Sequence, residues 1–233
     1  MTSTFTIGKH KKKTIRVGGI SYDRLPIKTH LITKDDNIVD VCLQATKGLL
    51  HKDDILFVSE KIVAISQGRA FPLTDIHPRP LAAWLSKYVS RSSRGIGLAS
   101  PYTMELAFRQ AGTVRMLFAA FVSACTRPLG IRGMFYRVVG CGVNAIDGPC
   151  DFAIPPYNRY AKMAPHKPSR VARELKRALG VDVVVIDAND FGVQVLGKSS
   201  RKISDRFCKQ LFKDNPMGQS NEQTPLCLVR LTA

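Results

Sequence analysis

Apolar positions recur at helix and strand periods along most of the chain, and they predict the two element types in alternation. Val39 to Leu50 carries Val39, Cys42, Leu43, Thr46 and Leu50 at helical spacing and reads as a helix. In HKDDILFVSEKIVAISQGR, Asp53–Asp54 is a turn and Ile55 to Ser59 a strand; Ile62 to Ile65 is a second apolar run, closed by Gly68. Pro80 to Val89 predicts a helix with Leu81, Trp84, Leu85 and Tyr88 on one face, and Pro101 fits the first turn of another running to about Ala111. Thr113 to Thr126 is apolar and rich in Phe and Val, which predicts a buried strand; Gly133 to Val139 alternates and predicts its neighbour. The Pro-rich DGPCDFAIPPYNRY excludes regular helix. Ser169 is placed to cap a helix through Leu179, with Val171, Leu175, Ala178 and Leu179 on one face and Gly180 as its stop. VDVVVIDA reads as a fully buried strand ending in acids. Ser200 to Phe212 reads as a basic amphipathic helix with Ile203, Phe207 and Leu211 inward, and PLCLVRL as the last strand. No internal repeat is visible.

Composition adds one strong fact. The 233 residues, 45% hydrophobic and 23% charged, suffice for a real core and exclude disorder throughout. Lys plus Arg is 35 against 18 for Asp plus Glu, a net charge of +17 that favours anions: nucleic acid, phosphorylated metabolites or acidic lipid. Between Asp75 and Asp147 stand nine basic residues (Arg79, Lys87, Arg91, Arg94, Arg109, Arg115, Arg127, Arg132 and Arg137) and one acid, Glu105. Eight of the nine are Arg, whose fork suits phosphate or carboxylate; the alternative is a solvated positive face. Residues 1–14 are polar and basic and read as a flexible arm. The first 30 residues lack an apolar stretch of the secretory kind, and the longest apolar run, Met116 to Cys125, is too short to span a bilayer, so a cytoplasmic protein is expected. Cys42, Cys125, Cys141, Cys150, Cys208 and Cys227 form no C-x-x-C and no zinc-finger spacing with His; they read as reduced, buried thiols, with no zinc.

The scarce acids cluster. Asp187, Asn189 and Asp190 flank the end of the best strand in Asp187-Ala-Asn189-Asp190-Phe-Gly192, a position that commonly lies in a site mouth. Two carboxylates and an amide can hold Mg²⁺ or Mn²⁺ through oxygen; the alternative is an Asn189–Asp190 turn closed by Gly192. Asp147, in Ile146-Asp147-Gly148-Pro149, is a turn residue by default. No P-loop, no G-x-G-x-x-G and no G-x-S-x-G is present, so a bound phosphate would not sit in a common nucleotide loop.

Three segments together resemble the coenzyme F(420)-0:L-glutamate ligase family, the γ-glutamyl ligases. They are DILFVSEKIV (Asp54 to Val63) through Gln67, Gly68 and Arg69; Val181 to Gly192; and Met217-Gly218-Gln219 with Glu222, Pro225, Val229 and Arg230. The likeness covers residues 25 to 231. It implies an α/β (α+β) fold with mixed sheets and flanking helices, a single domain over 15–233 with room for two subdomains, and an intertwined homodimer. It also implies a GTP- and divalent-metal-dependent amide ligase. GTP phosphorylates a carboxylate of an anionic acceptor, and the amine of L-glutamate displaces phosphate. Mg²⁺ or Mn²⁺ would sit at Asp147, Asp187, Asn189 and Asp190, and nucleotide phosphate at Lys61, Arg69, Gly218, Gln219 and Glu222. Where the family has a run like A-G-V-D-x-S-N, this chain has Cys141-Gly142-Val143-Asn144-Ala145-Ile146-Asp147; direct alignment puts Asn144 at the metal and a three-residue shift puts Asp147 there. The stretch from Gly192 to Met217 is also shorter than in typical members.

Two other classes compete with the ligase: a non-catalytic nucleic-acid binder, supported by charge and the basic arm, and a nucleotide-binding relative without turnover, supported by Asn144. The clustered acids oppose the first, since they repel a phosphate backbone. Nucleic-acid binding is therefore expected to be weak and non-specific, and no membrane partner is expected.

Overall fold

The computed structural model describes residues 11–89, 97–131, 133–151, 153–189, 192–218 and 222–232. In chain order these form β1 (Thr14–Val17), β2 (Ile20–Ile27), α1 (Ile38–Ala45), β3 (Ile55–Ser59), α2 (Glu60–Ser66), β4 (Ala70–Pro72), α3 (Pro80–Ser86), α4 (Pro101–Ala111), α5 (Thr113–Thr126) and α6 (Met134–Val139). After them come β5 (Tyr160–Lys162), α7 (Pro168–Leu179), β6 (Asp182–Asn189), β7 (Gly192–Lys198), α8 (Asp205–Leu211) and β8 (Leu226–Leu231). The mixed α/β class is as expected. The chain divides into two compact units, 1–68 with 165–233, and 69–164.

The first unit is built on a six-stranded sheet in the order β1-β2-β8-β3-β6-β7. β3 and β6 run parallel; the other neighbours are antiparallel. The central strands carry unbroken apolar runs, Ile55–Val58, Val183–Ile186 and Leu226–Val229, because both faces are covered. Phe57, Val184, Ile186, Cys227 and Val229 pack with Cys208, Leu211 and Phe212 of α8 and its end. Leu56, Val58, Val183 and Val185 alternate to the opposite face and are fully buried, where α2 and α7 lie against β3, β6 and β7. α7 approaches so closely that a Cβ on Gly197 would lie 2.4 Å from the backbone of Pro168 and Ser169. Gly197→Ala is therefore expected to destabilise by at least the roughly 1–3 kcal/mol of an overpacked core, because backbone rather than a side-chain tip must yield. Urea unfolding checks this; a midpoint equal to the parent's would remove the claim.

A buried ion pair ties the ends of this unit. Arg24 is fully buried, and its guanidinium forks onto both carboxylate oxygens of Asp214 while also donating to Leu211 O at 2.8 Å and to Lys12 O. Arg230 likewise forks onto Asp54 at 2.8 and 2.7 Å. Residues 1–10 of the expected arm lie outside the described residues; Lys12 and Lys13 accept hydrogen bonds from Arg24.

The second unit packs α3 to α6 and the β4–β5 pair around Leu85, Met104, Leu106, Phe108, Met116, Ala119 and Val139. Two expectations fail here. Thr113–Thr126 is a helix, not a strand: Met116 and Ala119 are the inward positions at helical spacing, and Ala119, Ala120 and Ala124 favour helix. Met134–Val139 is also a helix, bracketed by left-handed Gly133 and by Gly140. On α3 the face turns: Ala82 and Leu85 are buried, while Trp84 and Tyr88 stack on each other outside, 53% and 62% exposed.

Smaller corrections follow local chemistry. α7 starts on Pro168 at its first position, so Ser169 lies inside the helix rather than capping it. α8 starts at Asp205 because the Ser204 hydroxyl accepts from Phe207 N at 3.1 Å. All six cysteines are free, and Cys42, Cys208 and Cys227 are buried, but Cys125 and Cys141 are exposed. Among the described residues no helix is long and apolar enough to cross a membrane.

Candidate active site at the carboxyl end of the sheet

In the first unit, β3 and β6 are in parallel register with Ser59 opposite Ile186, so both strands end on the same side of the sheet. Ligands of open α/β sheets collect there, where the chain leaves the strands. β8 runs the other way beside β3, so the segment entering it arrives at that end too; Ser59 N donates to Pro225 O at 2.8 Å. Three stretches distant in sequence thus converge: the start of α2, the end of β6, and the approach to β8.

Each brings chemistry. Ser59 caps α2, its hydroxyl accepting from Lys61 N at 3.4 Å, which leaves Lys61 exposed in the first turn. Glu60 beside it is 2% exposed and was not singled out from sequence. At the end of β6, Asn189 Nδ2 lies 3.5 Å from Asp187 Oδ1, and Asn189 Oδ1 accepts from Gly192 N at 3.1 Å. The amide oxygen of Asn189 is thus engaged in closing the β6–β7 hairpin, the turn role that the sequence offered as its alternative. Asp187 is half-buried. Asp190 lies outside the described residues.

Before β8, Thr224 Oγ1 donates to Met217 O at 2.6 Å, both residues being buried. Gly218 has φ +72°, its N–H donates to Asn215 O at 3.1 Å, and the Glu222 carboxyl group rests against its Cα side. Gln219 lies outside the described residues.

The remaining candidates belong to the second unit. Arg69 donates through Nε to Ala164 O at 2.6 Å and through Nη2 to Gln110 Oε1 at 3.0 Å; burial lowers its pKa, but a guanidinium stays charged. Asp147 is bridged to Lys162 both by backbone and by a 3.3 Å contact from Lys162 Nζ to its carboxylate. Lys162 is only 5% exposed and also lies 3.4 Å from Ala145 O. Asn144 sits in the Val143–Ala145 3-10 turn and is exposed. In the Arg-rich stretch, Arg79 grips the buried Glu105 by a fork and Arg109 reaches it at 3.4 Å. Burial alone would raise the Glu105 pKa; the Arg79 bonds outweigh it and hold the carboxyl below its ordinary range.

Lys162 and Gln110 were missed from sequence. Lys162 had a signal, a lone charge between Ala161 and Met163; Gln110 had none.

Among the described residues no three His, Cys, Asp or Glu side chains group as a metal site. Mg²⁺ does not require one, since it takes one or two carboxylates, keeps several waters and is completed by substrate phosphates. The half-buried Asp187 carboxylate at the strand end fits that demand. Asp147 fits it less well, because Lys162 already neutralises it.

The model of the F420-0:Gamma-glutamyl ligase family matches residues 26–204. The run from Met217 lies beyond the matched span. No curated protein matches the chain. The match contains β3, α2, β6 and the hairpin tip, the elements that build two of the three converging stretches. With 26–204 of 233 residues matched, the chain belongs to the F420-0:Gamma-glutamyl ligase family.

Proposed function

We propose that this protein is a GTP- and Mg²⁺- or Mn²⁺-dependent amide ligase that joins L-glutamate, or a similar amino acid, to a carboxylate of an anionic phosphorylated acceptor. The observation that carries the reading is that the start of α2, with Lys61, the end of β6, with Asp187, and the chain entering β8 at Pro225 meet at the carboxyl end of the β3–β6 pair. The γ-phosphoryl group of GTP passes to the acceptor carboxylate, leaving GDP and an acyl phosphate. The amine then attacks the acyl carbon and phosphate leaves. Lys61 supplies a positive point charge for phosphate, a part this chemistry requires because phosphoryl transfer rests on positioning and neutralisation. Asp187 and Asp190 would hold the divalent ion, which supplies charge neutralisation at the phosphates. The +17 charge suits three anionic substrates. We place the protein in the cytoplasm, where nucleotide is supplied.

The test is a thermal-shift panel of nucleotides with and without Mg²⁺ or Mn²⁺. A ligand at about 100 times its Kd adds about 2.7 kcal/mol, so GTP with metal should raise Tm clearly. Tight nucleic-acid binding at 150 mM salt with no nucleotide response would instead select the nucleic-acid reading. A nucleotide binder without turnover is favoured by Asn144 and by the Lys162–Asp147 pair. It would show the shift but release no GDP when acceptor and glutamate are added.

The proposal includes a homodimer. α5 turns Val114, Phe118 and Phe121 outward, 84%, 59% and 66% exposed, an apolar stripe that a second copy could cover. Phe121→Asp should convert a dimer to monomer in sedimentation at micromolar concentration. A parent that is monomeric throughout that range removes the claim.

A further inference from the structure

We propose that the turn leaving α5 docks on an anionic lipid surface, with Leu129 and Ile131 entering the headgroup boundary and Arg127 and Arg137 meeting the lipid phosphates. The inference stands apart from the ligase reading. A surface contact of this kind needs no membrane-spanning helix, and it replaces the expectation from sequence that there is no membrane partner.

The turn is closed on itself. Arg127 N donates to Ser123 O at 3.0 Å, Leu129 N and Ile131 N both donate to Thr126 O at 3.2 Å, and Gly130 N donates to Arg127 O at 3.1 Å. Pro128 carries no N–H. Every backbone donor from Arg127 to Ile131 is therefore met inside the turn. An exposed loop in water has no need of this, whereas a loop entering lipid does, because an unmet polar group there has no water to answer it. Gly130, at φ +77°, permits the reversal. On this closed backbone the aliphatic side chains are left in solvent, Leu129 75% and Ile131 46% exposed.

Charge selects the partner. From Leu106 to Ile146 the chain holds five Arg and no Asp, Glu, Lys or His. Arg127 is exposed at the end of α5, and Arg137 is exposed one turn into α6, which packs on α5. A second copy seated on this turn would set these arginines against their own copies with no acid to answer them. Nucleic acid would answer the arginines, but its phosphates and sugars give Leu129 and Ile131 nothing apolar to enter. Anionic lipid answers both, with phosphate for the guanidinium forks and the acyl boundary for the aliphatic side chains. The cytoplasmic face of a membrane carries such lipid. The turn follows Val114, Phe118 and Phe121, the α5 stripe given above to a second copy, and uses none of them.

The experiment is cosedimentation of the full chain with vesicles of phosphatidylcholine alone and of phosphatidylcholine mixed with phosphatidylglycerol. The parent is compared with Leu129→Ser/Ile131→Ser and with Arg127→Gln/Arg137→Gln. All the substituted side chains are exposed, so each variant should keep the parent's Tm. The parent should bind the mixed vesicles and not the neutral ones. The serine variant should lose roughly tenfold or more in affinity, the scale of withdrawing two aliphatic side chains from an apolar medium. The glutamine variant should lose roughly twentyfold, at about fivefold for each arginine near an anionic surface. Leu129→Trp supplies a reading that needs no loss: its emission should shift to the blue on the mixed vesicles and stay unshifted on the neutral ones. A parent that binds neither vesicle, or both alike, overturns the proposal. So does a serine variant that binds as the parent does, since charge alone then adsorbs the protein. A serine variant that turns a dimer into monomer in sedimentation gives the turn to a second copy. Tight duplex binding that the glutamine variant loses, with vesicle binding untouched by either variant, gives it to nucleic acid; both results overturn the lipid assignment.

Discussion

Asp190→Asn and Asp187→Asn are each expected to abolish the metal-dependent part of GTP binding while leaving the fold intact. Asn keeps the shape of Asp but removes the charge on which a hard cation depends. Loss of a direct ligand should exceed the 10–100-fold typical of outer-shell partners, so a fall of about 100-fold or more is expected. Calorimetry with and without EDTA measures it, and circular dichroism checks the fold. A variant that binds GTP with metal as the parent does would place the ion elsewhere. Asp147→Asn supplies the contrast. Its carboxylate is held at 3.3 Å by the nearly buried Lys162. Removing the charge should cost stability, through a weaker answer to the nearly buried Lys162 ammonium, rather than metal affinity.

The largest stability effect is expected at the Arg24–Asp214 pair. Truncating Asp214 to Ala strands a fully buried guanidinium, and breaking such a pair typically costs about 3–5 kcal/mol. Two carbonyl acceptors, Leu211 O and Lys12 O, remain for Arg24, so the low end, about 3 kcal/mol, is expected. That is a large share of the roughly 5–15 kcal/mol by which a domain is stable. The effect must also depend on pH. Burial alone would raise the Asp214 pKa, but the hydrogen bond and charge of Arg24 outweigh it and hold the carboxyl below its ordinary range. A depressed folded pKa gives stability that is present above the unfolded value of about 3.9 and lost as pH falls through the folded value. The gap between parent and Asp214→Ala in urea should therefore be full at pH 6–7, start to narrow below about pH 4, and close only beneath the depressed pKa. A gap unchanged at pH 2 would mean that the cost is packing rather than charge. Asp54, held below its ordinary range by Arg230 against its own burial, titrates with the same sign and adds to the acid sensitivity of the parent.

What the sequence alone determined was local. Ile55–Ser59, Asp182–Asn189 and Leu226–Leu231 were legible as strands because a strand buried on both faces is a short unbroken apolar run between turn residues. Pro101–Ala111 was legible as a helix because proline fits its first turn, and Pro168–Leu179 because Val171, Leu175, Ala178 and Leu179 share one face and Gly180 stops it, although its start was read one residue late, at Ser169. The family was legible too, since it rests on residue types in order along the chain, and the match over 26–204 bears it out. Tertiary structure decided the rest. A continuous apolar stretch such as Thr113–Thr126 has no period that separates buried strand from helix, and only packing chose the Met116–Ala119 stripe as the inward one. β1, β2 and β7 gave no clear run because edge and near-edge strands are half exposed and follow their partners. For the metal, the sequence offered Asp187, Asn189 and Asp190 as oxygen donors, and the resemblance added Asp147, otherwise a turn residue. Their partners separated them, since Gly192 N engages the Asn189 oxygen and Lys162 neutralises Asp147, fifteen residues away in the chain. Such pairings are invisible in composition and spacing, because a side chain's charge is in the sequence but the group that answers it is brought there only by folding.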